Sequence, residues 1–354
     1  ERPGRRKRGS GGVIKAAPDG FIARWWRGEA GAAGSLASVL ALPAEAAYRG
    51  VTTLRNVAFD RGLLGVDQVD VPVISVGNIT VGGTGKTPFS GWVVRELLAD
   101  GRTPALLCRG HGSDEPLLHA RWNPDAQVVT NADRRAGARE AVRNGADILV
   151  LDDGFQHRRL HRDLDIVLVT PRQGIRGRLL PRGPFRERAS ALHRADLVIL
   201  VHKGAPAEAM DGCARSVADV RPDLPRVQLC FAPGSWHRLD GREAEPPEMA
   251  DLLGVTSVAD PAAFGPFVTG STGATVSVRA YPDHHEYSEA DVRAITDAAA
   301  GRTVVTTEKD SVKLVRFKHL LPDVRVLGLR LEWEAGEEIV RQRLRALCET
   351  AAHG

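Results

Sequence analysis

Residues 71–98 constrain the fold of this chain more than any other part of it. Val71 to Val76 is a short apolar run that stops at Gly77, the pattern of a strand buried on both faces. Asn78-Ile79-Thr80-Val81-Gly82-Gly83-Thr84-Gly85-Lys86 follows, and Thr87 to Leu98 then reads as a helix, with Pro88 tolerated in its first turn. A strand, a glycine-rich turn and a helix in succession aim backbone N–H groups at one point, where the helix end adds positive potential. Gly82, Gly83, Thr84 and Gly85 are small enough for that backbone to close around phosphate oxygens. Lys86 then faces the β- and γ-phosphates of a nucleotide, and Thr87 offers a hydroxyl to Mg²⁺. A strict GxxxxGK[ST] loop needs glycine where this chain has Thr80; the glycines follow the xGGxGKT variant instead. Val81 stands where partition-type ATPases have lysine, which argues against a dimeric ATPase of that kind.

Such a loop needs an acid on a neighbouring strand to hold the metal. Asp152 and Asp153, directly after the apolar run Ile148 to Leu151, are where it belongs. Further strands are expected at Ile166–Val169, Leu197–Val201, Thr303–Thr306 and Val324–Leu331, and helices at Ala132–Asn144, Glu289–Ala299 and Gly336–Ala351. Strands alternating with helices predict an α/β fold: a P-loop NTPase-like core with a mostly parallel sheet flanked by helices. Pro233 to Asp251, rich in Pro, Gly and charge, reads as a long surface loop.

The net charge is +4, and the first ten residues alone hold five basic side chains and one acid, so the rest of the chain is neutral overall. A nucleic-acid partner is therefore not expected. Residues 1–19 are basic and Gly-rich and read as a disordered tail. Cys108, Cys213, Cys230 and Cys348 form no CxxC pair, which disfavours a disulfide framework and points to a reducing compartment. No signal peptide and no membrane-spanning run is visible. From Phe21 to about Asp60, apolar residues at spacings of three and four alternate with arginines, predicting one or two amphipathic helices. Such a segment either packs on the body or lies in a membrane interface, with Trp25 and Trp26 at headgroup level.

Several polar groupings remain: Asp114-Glu115-Pro116, Asp152-Asp153-Gly154-Phe155-Gln156-His157-Arg158-Arg159-Leu160, Leu179 to Glu187 (LLPRGPFRE), Asp283 to Tyr287 (DHHEY) and Thr306 to Leu314 (TTEKDSVKL). With the glycine loop, and in this order, they closely resemble the tetraacyldisaccharide 4′-kinases of lipid A biosynthesis. The resemblance implies a transferase that uses Mg²⁺ and ATP to phosphorylate the 4′-hydroxyl of a tetraacyl glucosamine disaccharide 1-phosphate. It also implies a peripheral enzyme, monomeric, on the cytoplasmic face of the bacterial inner membrane, docked there by its N-terminal helix. By motif, Asp114 looks like the base and His284 its dyad partner. Lys86 and Asp153 look catalytic, while Thr87, Asp152 and Glu115 look like the metal-holding set. Arg186, Glu187, Gln156, His157 and Asp283 look like residues that meet the substrate.

The implied domains are a membrane-associated segment over 20–62, an ATP-binding core over 63–160 with the C-terminal helix 333–354, and a smaller second α/β lobe over 161–332 joined by a two-stranded hinge. The chain departs from the family's SRGYG with Cys108-Arg109-Gly110-His111-Gly112, and reaches Asp114 through Ser113 by a shorter path. Two other readings are a P-loop NTPase that switches a partner and a degenerate, non-catalytic homologue. Val81, together with the presence of both DEP and DHH, favours the kinase.

Overall fold

The computed structural model describes residues 20–110, 114–202, 204–321 and 323–352. The basic tail 1–19 and the His111-Gly112-Ser113 junction lie outside the described residues. The chain divides into two compact units, one of residues 20–232 with 330 onward, the other Pro233–Leu329.

The larger unit begins with three helices where one or two were expected: α1 (Phe21–Trp26), α2 (Gly31–Leu40) and α3 (Leu42–Asp60). There follow β1 (Val73–Gly77), α4 (Lys86–Ala99), β2 (Pro104–Cys108), α5 (Asp114–Trp122), β3 (Gln127–Thr130), α6 (Arg134–Arg143) and β4 (Ile148–Asp152). Next come β5 (Leu164–Val169), β6 (Leu197–His202), α7 (Ala207–Ala218) and β7 (Arg226–Arg238). Its strands lie in the order β3-β2-β4-β1-β5-β6-β7, and each of these neighbouring pairs is parallel. Parallel strands need crossover connections and cover on both faces. β1, β2, β4 and β5 are accordingly buried at every position.

The smaller unit contains β8 (Asp251–Thr256), α8 (Phe264–Thr272), β9 (Thr275–Ala280), α9 (Glu289–Ala299), β10 (Val304–Thr307), α10 (Glu308–Leu314) and the first half of β11 (Val324–Ala335). Its sheet runs β11-β10-β8-β9, again with parallel pairs. Helix α9 starts with a capping box between Ser288 and Asp291. The chain passes between the units within β7 and within β11, and α11 (Glu337–Ala352) belongs to the larger unit.

The domain boundary drawn from sequence is corrected by this division. Residues 161–232, assigned above to the second lobe, belong to the unit that holds the glycine loop. The reason is pairing and core: β5 lies directly beside β1, and Val167, Val169, Leu200 and Val217 share one apolar cluster with Ile79 and Phe155. The expected surface loop from Pro233 is also partly strand. β7 continues to Arg238, and a hairpin returns through the N–H of Arg238 on the carbonyl of Arg242. Trp236 is buried there against Leu252 and Phe264. Gly234, which suggested a loop, instead permits close backbone approach: a Cβ on it would sit 3.1 Å from the carbonyl carbon of Gly328.

Gly77 has a similar role at the end of β1, where an added Cβ would lie 2.5 Å from the Cβ of Phe155 and 2.8 Å from its backbone nitrogen. Gly77→Ala is therefore expected to destabilise the larger unit by roughly 1–3 kcal/mol. A denaturant midpoint equal to that of the parent chain would contradict this packing.

Candidate active site

The loop between β1 and α4 is braced by its own polar side chains and by a second loop. Asn78, fully buried, donates from Nδ2 to Oγ1 of Thr84 at 2.9 Å, across the turn. Thr80 Oγ1 donates to Oε1 of Gln173 at 2.7 Å, and Nε2 of Gln173 returns to the Val81 carbonyl at 3.2 Å. Gly82 and Gly85 adopt φ of +110° and +85°, a region that a side chain would strain. Lys86 is the first residue of α4, so it and Thr87 stand at the positive end of that helix. The segment 184–186 runs beside the loop: Val81 N–H donates to the Pro184 carbonyl at 2.7 Å and Arg186 N–H to the Ile79 carbonyl at 2.8 Å.

This pairing delivers the Arg186 side chain to the acids after β4. Its Nη1 lies 2.8 and 2.7 Å from the two oxygens of Asp153 and 3.2 Å from Oε1 of Gln156. Nζ of Lys86 is 3.5 Å from Oδ1 of Asp153. Asp153 sits at φ +57°, an uncommon conformation for a residue with a side chain and one often kept at functional positions. Burial opposes its charge, but Lys86 and Arg186 outweigh that and hold its carboxyl below the usual carboxylate range.

Glu187, expected to meet substrate, is buried. It accepts from Arg194 at 3.0 and 2.9 Å, Asn56 at 2.8 Å and Gln156 at 3.1 Å. Nε2 of Gln156 also donates to the Asn78 carbonyl at 2.8 Å. Both residues thus hold the loops around Arg186 and the glycine turn together.

Asp152 ends β4 in register with Val76 of β1, so its carboxylate stands beside the start of the glycine loop. One oxygen accepts from Ser90 of α4 at 3.3 Å and the other meets Nε2 of His119 at 3.1 Å. His119 escaped the sequence reading. It lies on α5, the helix that Asp114 and Glu115 open, and its ring packs edge-on against Trp122. Its partner is 33 residues away, and no local pattern marks the pair. Asp114 is itself buried, with Oδ1 accepting from the N–H of Glu115 at 3.2 Å.

Asp283 and His284 belong to the smaller unit. His284 occupies a left-handed turn at φ +60°. Nζ of Lys309 on α10 lies 2.9 Å from Oδ1 of Asp283 and 3.2 Å from Nε2 of His284. An ammonium has only donors, so Nε2 accepts and a neutral ring carries its proton on Nδ1. Asp310, next in sequence and fully buried, accepts from the N–H of Ser257 at 3.1 and 3.0 Å, the hydroxyl of Tyr287 at 3.0 Å and that of Thr307 at 2.7 Å. Helix α10 thereby holds both sides of the His284 turn. Sequence reading had singled out TTEKDSVKL as a motif without assigning its lysine and aspartate a task.

Among the described residues, His202, Cys230 and Glu334 form one trio of metal-type donors within 4.8 Å. Nδ1 of His202 accepts from the N–H groups of Gly204 and Ala205 at 3.1 and 3.2 Å. Its proton is therefore on Nε2 and goes to Glu334 at 2.8 Å. A cation at Nε2 would break both arrangements, so the trio ties β6 to β11.

His157 is held neutral: burial, then the neighbouring Arg134, push its pKa down from 6.5 to about 4. In the unfolded chain it takes up a proton near pH 6.5, while the folded chain waits until about pH 4. Stability from this group is therefore present at pH 7 and lost as the pH falls through that window, by at most about 3 kcal/mol. Urea midpoints measured from pH 7 to pH 4 are expected to fall less steeply for His157→Asn; parallel curves would contradict the buried neutral ring.

The family model described as tetraacyldisaccharide-1-P 4′-kinase (LpxK) matches residues 37–349. A tetraacyldisaccharide 4′-kinase of Anaeromyxobacter sp. (strain K) is 39% identical over 329 residues, covering 83% of this chain and 86% of that protein. One from Anaeromyxobacter sp. (strain Fw109-5) is 36% identical over 353 residues, covering 91% and 95%. The crystal structure of LpxK from Aquifex aeolicus in complex with ATP is similar, with a TM-score of 0.69 at 27% identity, over 88% of this chain and 99% of that one. With a family match over 37–349, which spans the glycine loop and the paired acids, and relatives of this identity and coverage, the chain belongs to the tetraacyldisaccharide 4′-kinase family.

Proposed function

We propose that the loop between β1 and α4 binds ATP for the reaction of this family, transfer of the γ-phosphate to the 4′-hydroxyl of a tetraacyl glucosamine disaccharide 1-phosphate in lipid A biosynthesis. The observation that carries the assignment is the gathering of Lys86, Asp153 and Arg186 at the start of α4. Phosphoryl transfer asks mainly for positioning and charge neutralisation, and this cluster offers both.

Lys86 exchanges Asp153 for the β/γ-phosphates when nucleotide enters, while Arg186 keeps Asp153 in place. Gly82, Gly83, Thr84 and Gly85 offer backbone N–H groups to the phosphates. Thr87, Asp152 and Glu115 are the residues that would hold Mg²⁺. An all-oxygen set with a buried carboxylate at a strand end suits a hard cation. Bound there, Mg²⁺ supplies neutralisation of the polyphosphate charge. By the family pattern, Asp114 is the residue that takes the proton from the acceptor hydroxyl, and His284 is the histidine assigned to assist that base. By the family pattern, Asp283 and His157 are each further candidates for meeting the acceptor. Rival readings as a switch NTPase or an inactive scaffold leave Asp114 without a task.

The deciding assay gives the full chain radiolabelled ATP and the disaccharide lipid in detergent. Lys86→Ala is expected to lower lipid labelling by at least about 100-fold. Asp114→Asn is expected to abolish labelling while ATP still binds. ATP hydrolysis by the parent chain without label in the lipid would overturn the kinase assignment.

Helices α1 to α3 are proposed to dock the enzyme on the cytoplasmic face of the inner membrane. Leu36, Val39, Leu40, Val51, Leu54 and Leu63 are all exposed. The other side of α3 is tied to the body: Glu45 to Arg182 at 2.6 Å, the Tyr48 hydroxyl to the Arg186 carbonyl at 3.0 Å, and Asn56 to Glu187 at 2.8 Å. No described helix is long and apolar enough to cross a membrane, so an interfacial position suits this exposed row. Charging Leu36, Val39 and Leu40 together as glutamates is expected to lower vesicle flotation more than tenfold, given about 1.5–3 kcal/mol per buried side chain. Unchanged flotation would show that this face is no anchor.

A further inference from the structure

We propose that His119 is a positioning residue for the phosphoryl transfer: its bond to Asp152 fixes the spacing between Asp152 and Glu115, and with it the fit of the site for Mg²⁺. The inference rests on the metal-holding set proposed above and adds the side chains that keep that set in shape.

Thr87, Asp152 and Glu115 come from three separate elements: α4, the end of β4 and α5. Ligands on separate elements suit Mg²⁺ only where those elements are locked at fixed distances, because the ion demands near-ideal octahedral geometry. Two side-chain bonds supply the lock, and both end on the Asp152 carboxylate. Oγ of Ser90 on α4 lies 3.3 Å from Oδ1, and Nε2 of His119 on α5 lies 3.1 Å from Oδ2. Ser90 stands three residues after Thr87, and His119 four after Glu115. Each therefore shares a helix face with one member of the metal set, a single turn away. The end of β2 reports both acids. Burial raises the Cys108 thiol most, Thr130 opposes it, and Asp152 and Glu115 each add to the rise. The two carboxylates thus lie within electrostatic reach of one point.

Packing alone does not call for a histidine here. His119 is 1% exposed and Asp152 3%. Gly91 lets α4 and α5 approach closely: a Cβ on it would lie 2.9 Å from Cε3 of Trp122 and 3.7 Å from Nδ1 of His119. The ring packs edge-on against Trp122, and Nδ1 has no hydrogen-bond partner among the described residues. A buried polar atom left unmatched costs free energy that an apolar side chain would avoid. What the ring gives in return is at Nε2. A carboxylate that holds a cation is ionised and only accepts, so in that state Nε2–H donates to Asp152. Hydrogen bonds of this kind orient a ligating carboxylate and govern metal affinity.

The test compares full-length His119→Leu, His119→Gln and His119→Asn with the parent chain. Leucine removes the bond; a glutamine amide reaches the Nε2 position, whereas an asparagine amide reaches only that of Nδ1. Mn²⁺ binding is read by electron paramagnetic resonance with a non-hydrolysable ATP analogue, analogue binding is read separately in EDTA, and turnover is followed against Mg²⁺ concentration. In His119→Leu and His119→Asn, the Kd for Mn²⁺ and the Mg²⁺ concentration for half-maximal turnover are expected to rise about 10- to 100-fold. His119→Gln recovers most of that loss, and the Kd for the analogue in EDTA is the same in all four proteins. Should the leucine variant fail to fold, the contrast between asparagine and glutamine carries the result. Mn²⁺ affinity equal to the parent's in the leucine or asparagine variant overturns the proposal, as does a glutamine variant no better than asparagine. A merely structural histidine would weaken analogue binding in EDTA as much as metal binding, and that outcome also overturns it. Lipid labelling that persists while every variant binds Mn²⁺ alike leaves the kinase reading standing and removes His119 alone. A parent chain that binds no Mn²⁺ would remove the metal assignment, and this inference with it.

Discussion

The parallel pairing of β1 with β4 is the constraint on which the site depends. It puts Val76 level with Asp152, so the glycine loop and the acid pair leave adjacent strands at the same height. That register requires the chain after β4 to turn back tightly against β1, and Phe155 rests directly on Gly77. Any side chain at Gly77 would push the Asp152–Asp153 turn away from Lys86. A close backbone approach, in which Gly154 N–H also donates to the Val76 carbonyl at 3.0 Å, therefore governs where the charges are.

Around this contact the protein places its charges in mutually supporting sets. Arg186 reaches Asp153 because the backbone of 184–186 is hydrogen-bonded to the glycine loop. Glu187 and Gln156 hold that segment from behind, and α3 holds it from outside through Glu45, Tyr48 and Asn56. A helix proposed to touch lipid is thus bonded to the residues that flank the phosphate site. In the smaller unit α10 has the comparable task, with Asp310 fastening Ser257 and Tyr287 and Lys309 gripping Asp283 and His284.

Legibility in the sequence followed the distance between partners. The glycine loop, the acid pair and the helices α4, α6, α9 and α11 were readable because their signals are local: spacing of apolar residues, caps, and glycines within one turn. His119 was not, since its meaning comes from Asp152 on another strand. Arg134 looked like an ordinary charged residue at a helix start, and only burial, with Nε and Nη2 unpartnered among the described residues, sets it apart. The assignment of 161–232 to a second lobe failed for a related reason: strand order in a parallel sheet is decided by crossovers, which leave no trace in the composition of either strand.

The amino-acid sequence alone determined the chemistry available to this protein: a strand–glycine loop–helix for polyphosphate, carboxylates suited to a hard cation, and a family pattern spread along the chain. Those features are short-range, since backbone freedom and side-chain type act within a few residues. Tertiary structure alone decided which charges meet. It set Asp153 between Lys86 and Arg186, gave Asp152 its histidine, brought Lys309 to His284 and left Nε and Nη2 of Arg134 buried without a hydrogen-bond partner among the described residues. Electrostatic and hydrogen-bonding partnerships reach only a few ångströms, and in a parallel α/β fold neighbours at that distance come from segments far apart in the chain.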